Sequence, residues 1–434
     1  MKNTLFKNFF SLSTVQLVNY IFPLITVPYV SRIIGPDSYG IINYAIAFNA
    51  YFTLLIGYGF DLTGTRKIAQ NPDNEQVVNQ VFSEVMCARI LLFVVSCLLF
   101  GVSLNFVTPL KKNIYVAVIL FISTISSVLT PQYVYQGKQQ LSIFALLNFI
   151  KRLLNTILIF IIIKEKSDYV FLPTLNALIE IAGSIFLFVY AIRIFRLKFH
   201  WVKISKTLQL LNDEKTIFLS MVVISIYSTT NTVVLGFFSP EAEVGFYTIS
   251  MSLITIIYQV ISNPISTAVF PFIGNSFVEN HENGLEMIRK IFPMILYLTL
   301  FACIFLFIFA PLIIHVLYGS QYTNAILSFR IMAFIPLIVS MSNVFGVQTM
   351  LNLKMDKLFF KATAVASVIG FFLNLLMSKF YGYIGTAWNT LIIELFVTCY
   401  MFYLLKKNNV EVFDKKYFKL SYSYHLAKGL FVRK

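Results

Sequence analysis

The stretch VMCARILLFVVSCLLFGVS, residues 85–103, is long enough to cross a bilayer as a helix and carries a single charge, Arg89. A water-soluble helix would keep one polar face, and this stretch has none. Runs of the same kind recur from the first tenth of the chain to Leu405, separated by short polar segments. Over all 434 residues, 58% are hydrophobic, only 12% are charged and the mean hydropathy is +0.78. A soluble chain of this length would carry about twice that charge. The reading is an all-α polytopic membrane protein with no large soluble domain.

Hydropathy and loop composition predict about twelve transmembrane helices: Phe9 to Ile33, Tyr39 to Thr63, Val77 to Ser103, Asn113 to Val134, Ser142 to Ile163, Tyr169 to Ile192, Thr216 to Phe238, Val244 to Phe270, Ile288 to Ile314, Asn324 to Leu351, Leu358 to Ser378 and Tyr383 to Leu405. The first run follows Lys2 and Lys7 but lacks a small-residue cleavage site and extends to Ile34, so it reads as a retained span and not a signal peptide. With the N-terminus inside, twenty-four Lys and Arg residues fall on the cytoplasmic side and six on the other. That bias places both termini in the cytoplasm.

The longest polar interruption, Arg193 to Lys215, follows six predicted helices and reads as a linker. The expected organisation is an N-terminal six-helix lobe over 1–195, a linker over 196–215, a C-terminal six-helix lobe over 216–405 and a basic cytoplasmic tail over 406–434. Gly35-Pro36-Asp37-Ser38-Tyr39-Gly40 opens the second helix, and Ser239-Pro240-Glu241-Ala242-Glu243-Val244-Gly245 opens the eighth. Lys138, Leu141 and Asn155 return as Lys357, Phe360 and Asn374, each 219 residues on. An even number of helices per half makes the repeats parallel, with a cavity expected between the lobes.

Four cations, Arg89, Lys151, Arg152 and Arg330, fall inside predicted spans. Each would cost roughly 2.5–3.5 kcal/mol facing lipid, so each needs a cavity or a partner. Helical spacing puts Asn148, Arg152 and Asn155 on one stripe with Lys151 beside it. The acids within reach of pairing or ion coupling are Glu84, Glu180 and Glu394. Asp61, at the end of the second helix near Arg66, reads either as a solvated acid or as a coupling group. The cation excess favours an anionic ligand, and two or three charge contacts, each worth roughly 4 kcal/mol at 4 Å and an effective dielectric of about 20, suffice for a diphosphate. In the first helix, Asn19, Pro23 and Thr26 share a face and Pro28 follows, which reads as a broken helix lining the cavity or as a packing kink. Arg32 stands at the expected outer mouth, toward substrate or phospholipid headgroups.

Cys87, Cys97, Cys303 and Cys399 form no metal or disulfide pattern and read as core thiols. The four histidines have no partner at catalytic or ligand spacing. No GxxxxGK[ST] loop is present, so the energy source is a gradient of H⁺ or Na⁺, or the substrate itself; no cofactor is expected. Apart from the four in spans, the basic residues lie in loops and termini, which speaks against a nucleic-acid partner. Lys406 to Lys434, with Tyr417, Phe418, Tyr422, Tyr424 and Phe431, reads as an amphipathic tail for the inner leaflet, a contact for a polymerase, or an unstructured topogenic tail.

Pro28-Tyr29-Val30-Ser31-Arg32-Ile33-Ile34-Gly35-Pro36, Tyr39-Gly40-Ile41, Gly57-Tyr58-Gly59-Phe60 and Arg66-Lys67-Ile68-Ala69 resemble the opening of bacterial polysaccharide flippases, the Wzx-like branch of the multidrug/oligosaccharidyl-lipid/polysaccharide exporter superfamily. Pro131-Gln132-Tyr133-Val134-Tyr135-Gln136-Gly137-Lys138 and the segment from Leu235-Gly236 to Val244-Gly245-Phe246-Tyr247 are similar to the same pattern, so the likeness spans the chain. The resemblance implies two six-helix lobes in a V with a cationic central cavity. It implies a bacterial inner-membrane transporter of undecaprenyl-diphosphate-linked oligosaccharide units, for O antigen, capsule or exopolysaccharide, with a polymerase and a chain-length regulator as partners. The position before Thr232 is often Asp in that family and is Asn231 here, which puts an acid-coupled ion step in doubt. The alternatives are a cation-coupled multidrug exporter of the same superfamily, a peptidoglycan-precursor flippase, a membrane glycosyltransferase or acyltransferase, and an assembly scaffold.

Overall fold

The computed structural model describes residues 2–418; of these, the side chains of 2–21, 227–228, 261, 263–265, 267–272 and 278–279 lie outside the described set, as do residues 1 and 419–434 entirely. The expected tail residues Tyr422, Tyr424 and Phe431, and the side chain of Asn19, therefore lie outside the described residues.

The first helical stretch, α1 (Lys2–Gly57), has 56 residues. At 1.5 Å per residue it is about 84 Å long, far more than one bilayer crossing. The backbone divides it at Gly35, with φ 77° and ψ 171°, a conformation essentially closed to residues with a Cβ. Pro36 then starts the second segment, where its missing N–H costs nothing. Pro23 and Pro28 lie within the helical run, which suits the packing-kink reading of those prolines, and the break at Gly35 falls where the segmentation separates the first and second helices. A proline removes one hydrogen bond and bends a helix, whereas a positive φ redirects the chain.

Tyr58 and Gly59, with φ 48° and 86°, turn the chain into α2 (Phe60–Gln70). The Asn74 side chain caps α3 (Glu75–Phe106) by accepting from the N–H groups of Gln76 and Val77. After α4 (Thr108–Lys112), the fourth predicted span is three short pieces: α5 (Ile114–Ser123), α6 (Ile125–Leu129) and α7 (Gln132–Gly137). The break before α7 is set by Pro131, which drives Thr130 into extended backbone (φ −82°, ψ 105°). α8 (Leu141–Ile162) and α9 (Phe171–Phe195) form a hairpin. α10 (Ile204–Ser228) begins inside the expected linker and is followed by α11 (Thr230–Phe238) and α12 (Glu241–Glu279). Then come α13 (His281–Tyr318), α14 (Ala325–Met332), α15 (Ile335–Asn343), a π-helical turn over Val344–Met350 and α16 (Asp356–Lys407). The last is broken at Gly382, with φ 56° and ψ −140°.

Among the described residues, nine helices are long and apolar enough to cross a membrane, and a bent pair, Ile204–Ile226 with Thr230–Phe238, makes a tenth. Two of these, Phe22–Gln70 and Asp356–Lys407, contain the glycine breaks, and each is long enough for two crossings.

The chain forms two compact units, Met1–Gly245 and Phe246–Lys434, divided within α12. The first centres on Phe60, Ile68, Phe82, Tyr133 and Leu187, each no more than 1% exposed. Beside this core Phe100 stacks on Phe121 with ring centres 4.1 Å apart, and Phe52 meets Phe121 edge-on at 5.2 Å. In the second unit Phe413 packs against Phe292, Phe345 and Phe402. The segment after α16 folds back onto α13: the Tyr417 hydroxyl donates to Glu286 and the Tyr297 hydroxyl to the Phe418 carbonyl. Part of the expected free tail is therefore packed structure. Of the cysteines, Cys87 and Cys303 are buried as expected, whereas Cys97 and Cys399 are exposed. In a membrane span an outward-facing thiol meets lipid, so apolar sequence around a cysteine does not settle its burial.

Candidate functional site

Within the first unit a cavity of about 820 Å³ opens between α1, α2, α3, α6 to α10 and the turn at Tyr58. Five charged side chains line it: Asp61, Arg89, Lys151, Arg152 and Glu180. The polar remainder includes Thr53, Ser126, Ser127, Gln132, Asn148 and Ser225.

Arg89 projects from α3 and is only 2% exposed. Because Pro131 ends α6, the Thr130 carbonyl has no helical donor, and Arg89 Nη1 donates to it at 2.8 Å. Nη2 donates to Asp61 Oδ1 at 2.9 Å, and the guanidinium lies 5.3 Å from the centre of the Tyr133 ring. Asp61 sits in the first turn of α2, where the helix N-terminus favours negative charge. The partner of Arg89 is thus Asp61 and not Glu84, whose carboxylate accepts from Gln80 at 2.8 Å. Sequence spacing suggested a solvated Asp61 because Arg66 is its neighbour in the chain. The turn at Tyr58 and Gly59 aims it inward.

Lys151 of α8 donates to Glu180 of α9 at 2.9 Å, as the pairing expectation allowed. Its aliphatic stem needs space that Gly183, one turn beyond Glu180, provides: a Cβ there would stand 2.3 Å from Lys151 Cδ. Gly183 is a site residue that composition gave no means of finding. In each ion pair the base is the more buried partner, 2% for Arg89 against 43% for Asp61 and 12% for Lys151 against 49% for Glu180. The acids therefore face the open cavity and the bases stand behind them. Arg152, also on the cavity wall, is exposed and makes no ion pair among the described residues.

The stripe expected along α8 is only partly realised. Asn148, Lys151 and Arg152 line the cavity. Asn155 does not; its amide donates to Asn176 of α9 at 2.7 Å. Arg32 is exposed on α1 away from the cavity lining, and Asn231 is buried in α11, likewise off the lining. Arg330 and Glu394 belong to the second unit. There Arg330 Nε donates to the Phe307 carbonyl at 3.3 Å, with its guanidinium over the Phe307 ring. Among the described residues no cluster of His, Cys, Asp or Glu could hold a metal ion.

The profile of the family described as "Polysaccharide biosynthesis protein" matches residues 5–277. The chain belongs to this family. It is 27% identical over 412 residues to an Escherichia coli (strain K12) protein named "Putative O-antigen transporter", covering 95% of this chain and 99% of that one. A Shigella dysenteriae protein of the same name is 25% identical, with 92% of this chain and all of the relative covered. Among solved structures, the fold is similar to that of the lipid II flippase MurJ in an inward closed conformation, with TM-score 0.71, 18% identity, and 100% and 92% of the two chains covered. An outward-facing multidrug MATE transporter of the MOP superfamily is similar at TM-score 0.54 and 15% identity, covering 94% and 95%. The family member is thus an all-helical polytopic membrane protein with the fold of the exporter superfamily that the opening motifs suggested.

Proposed function

We propose that this protein is a flippase that carries undecaprenyl-diphosphate-linked oligosaccharide units from the cytoplasmic to the outer leaflet of a bacterial inner membrane. The observation that carries the reading is the cavity of about 820 Å³ whose walls hold three cations against two acids. Relatives with the O-antigen transporter name, matched nearly end to end, support the same class of cargo. Splitting the two long helices at Gly35 and Gly382 supports twelve crossings, and the bias of basic residues supports cytoplasmic termini.

In this mechanism the diphosphate enters the cavity from the cytoplasm and meets Arg152 first, since that guanidinium is exposed and no acid among the described residues neutralises it. Lys151 joins only as Glu180 yields, which its 49% exposure permits at modest cost. Asn148, Ser126, Ser127 and Gln132 give sugar hydroxyls hydrogen-bond partners, while the polyprenyl chain stays in lipid. Rocking between inward-open and outward-open states moves the cargo without covalent chemistry. Coupling to H⁺ or Na⁺ belongs to this proposal as an open arm.

Depletion of the protein should accumulate undecaprenyl-diphosphate-linked oligosaccharide on the cytoplasmic side, read by lipid extraction and mass spectrometry. Unchanged lipid pools together with altered drug sensitivity would favour the multidrug exporter and refute the flippase.

A further inference from the structure

The segment joining α9 to α10 is fastened along α3. Its backbone runs extended along α3. The Lys198 N–H donates to Asn79 Oδ1 at 2.8 Å, the His200 N–H to Ser83 Oγ at 3.1 Å, and the Val202 N–H contacts Cys87 Sγ at 3.5 Å. Two residues of extended chain advance about 6.6 Å and one helical turn about 5.4 Å, so alternate strap residues keep step with successive turns of α3. That register gives every second backbone donor of the strap an acceptor on α3. The intervening side chains turn outward: Phe199 is 38% exposed and Trp201 77%, with their rings in edge contact at 5.0 Å.

The apolar face continues into α10, where Ile204 and Leu208 are 60% and 54% exposed while Thr207 and Leu210 are buried. Depth is marked by α3 itself. Its charged and amide side chains at 75–84 (Glu75, Gln76, Asn79, Gln80, Glu84) give way to apolar sequence over 85–95, apart from the buried Arg89. The Val202 contact at Cys87 sets Trp201 at that boundary, on the side that the distribution of basic residues makes cytoplasmic. An indole at such a depth has its apolar body in lipid and its N–H among headgroups. Lys198, Lys203 and Lys206 are all exposed around it. They also line, with His200 and Trp201, a groove of about 810 Å³ whose α3 wall carries Glu75 and Glu84, the latter engaged by Gln80.

We infer that residues 198–208 form an interfacial anchor that binds anionic phospholipid of the cytoplasmic leaflet, with Trp201, Ile204 and Leu208 among the upper acyl chains and Lys198, Lys203 and Lys206 on headgroup phosphates. The inference rests on the membrane placement and not on the identity of the transported cargo. Charge complementarity selects lipid over a soluble partner: three lysines flank an apolar patch, the composition that anionic bilayer surfaces retain.

Trp201 and Trp388 are the two tryptophans of the chain, so Trp388→Phe leaves a single reporter. The purified Trp388→Phe protein is reconstituted in phosphatidylcholine vesicles containing a small fraction of phosphatidylglycerol, with bromine on one lipid or the other near the headgroup end of the acyl chain. Quenching of Trp201 by brominated phosphatidylglycerol should exceed that expected from its bulk fraction. Adding Lys203→Gln and Lys206→Gln should lower the relative association by about fivefold per lysine, the worth of one basic residue at an anionic surface. Equal quenching by both lipids would overturn the headgroup site. Full quenching by aqueous iodide with none from either brominated lipid would overturn the anchor and place the segment in water. Because the wild-type lysines are present in the first measurement, poor folding of the lysine variants cannot rescue the idea.

Discussion

Replacing Asp61 by Asn strands Arg89 in the interior. The guanidinium is 2% exposed, so it cannot recover water by a side-chain rotation, and it keeps the Thr130 carbonyl at 2.8 Å, the Tyr133 ring face and a neutral amide oxygen in place of the carboxylate. Its Nε has no partner even in the wild type. Breaking a fully buried ion pair costs about 3–5 kcal/mol, and an exposed one about 0–1. With Asp61 43% exposed the pair lies between, and about 2 kcal/mol is expected for Asp61→Asn. Arg89→Met leaves the half-exposed carboxylate free to hydrate, but loses the charged hydrogen bond to Thr130 and the ring contact, again about 2 kcal/mol. The double variant should lose little more than Arg89→Met alone, a coupling of about 1–2 kcal/mol, because once the cation is gone the acid has nothing to neutralise. For a unit of this size each kcal/mol moves a melting midpoint by about 2–4 °C, so each single variant should fall by about 4–8 °C. The buried Cys87 in the same unit is the reporter: with Cys97, Cys303 and Cys399 changed to Ser, a thiol-reactive dye reads unfolding of the first unit alone. Additive losses, or no loss in Asp61→Asn, would refute the pairing as the reason Arg89 is tolerated in the span.

Arg152→Gln should leave the melting midpoint unchanged and lower surface polysaccharide by about tenfold or more, since each 1.4 kcal/mol of lost ion contact is a factor of ten; normal polymer at normal protein level would remove Arg152 from the cargo path. Gly183→Val should displace the Lys151 stem and reduce transport while the protein still inserts, read as polymer yield per membrane-bound copy. Gly35→Ala and Gly382→Ala, each forcing a Cβ into a positive-φ backbone, should destabilise by about 1–3 kcal/mol, seen as a lower midpoint in the Cys87 assay for the first and, for the second, in the same assay with the buried Cys303 of the second unit as the one remaining thiol. Asn155→Leu, by contrast, breaks the bond to Asn176 away from the cavity and should cost stability without a selective loss of transport.

The membrane class and the main segments were legible in the sequence because bilayer thickness imposes a length on apolar runs, and no packing detail can hide that. The twelve-span segmentation also placed Gly35 and Gly382 between helices, where hydropathy dips, although it could not say that the backbone would stay helical on either side of a positive φ. Lys151 with Glu180 was within reach because both are isolated charges in neighbouring spans. Asp61 with Arg89 was not. It depends on a two-residue turn with φ 48° and 86° that rotates the start of α2 toward α3, and nothing in hydropathy encodes a rotation. Asn155 misled for a related reason: helical periodicity groups residues by face, but α9 lies close enough to cover the lower part of that face and take the amide for itself.

The arrangement of charge in the cavity bears on how such a carrier works. Counting cations alone suggested a strongly binding phosphate clamp, whereas Arg89 and Lys151 are each neutralised, and the more exposed member of each pair is the acid. Under the proposed function, a diphosphate arriving in this cavity would meet one guanidinium that makes no ion pair among the described residues and a screen of carboxylates, with the second base released only when Glu180 swings aside. The contact is therefore weaker than three bare cations would give, by the Arg89 contact that Asp61 withholds and by the amount needed to part the Lys151 and Glu180 pair. A carrier profits from that weakness. Cargo held by several unscreened charges at an effective dielectric of about 20 would gain roughly 4 kcal/mol per contact and leave slowly. A pair that opens for the anion and closes behind it supplies its own competitor for release, since Glu180 returns to Lys151 as the diphosphate departs. On this view Glu180→Gln should tighten binding of the lipid-linked cargo yet slow its turnover. A variant that gained affinity and kept full polymer output would break the argument.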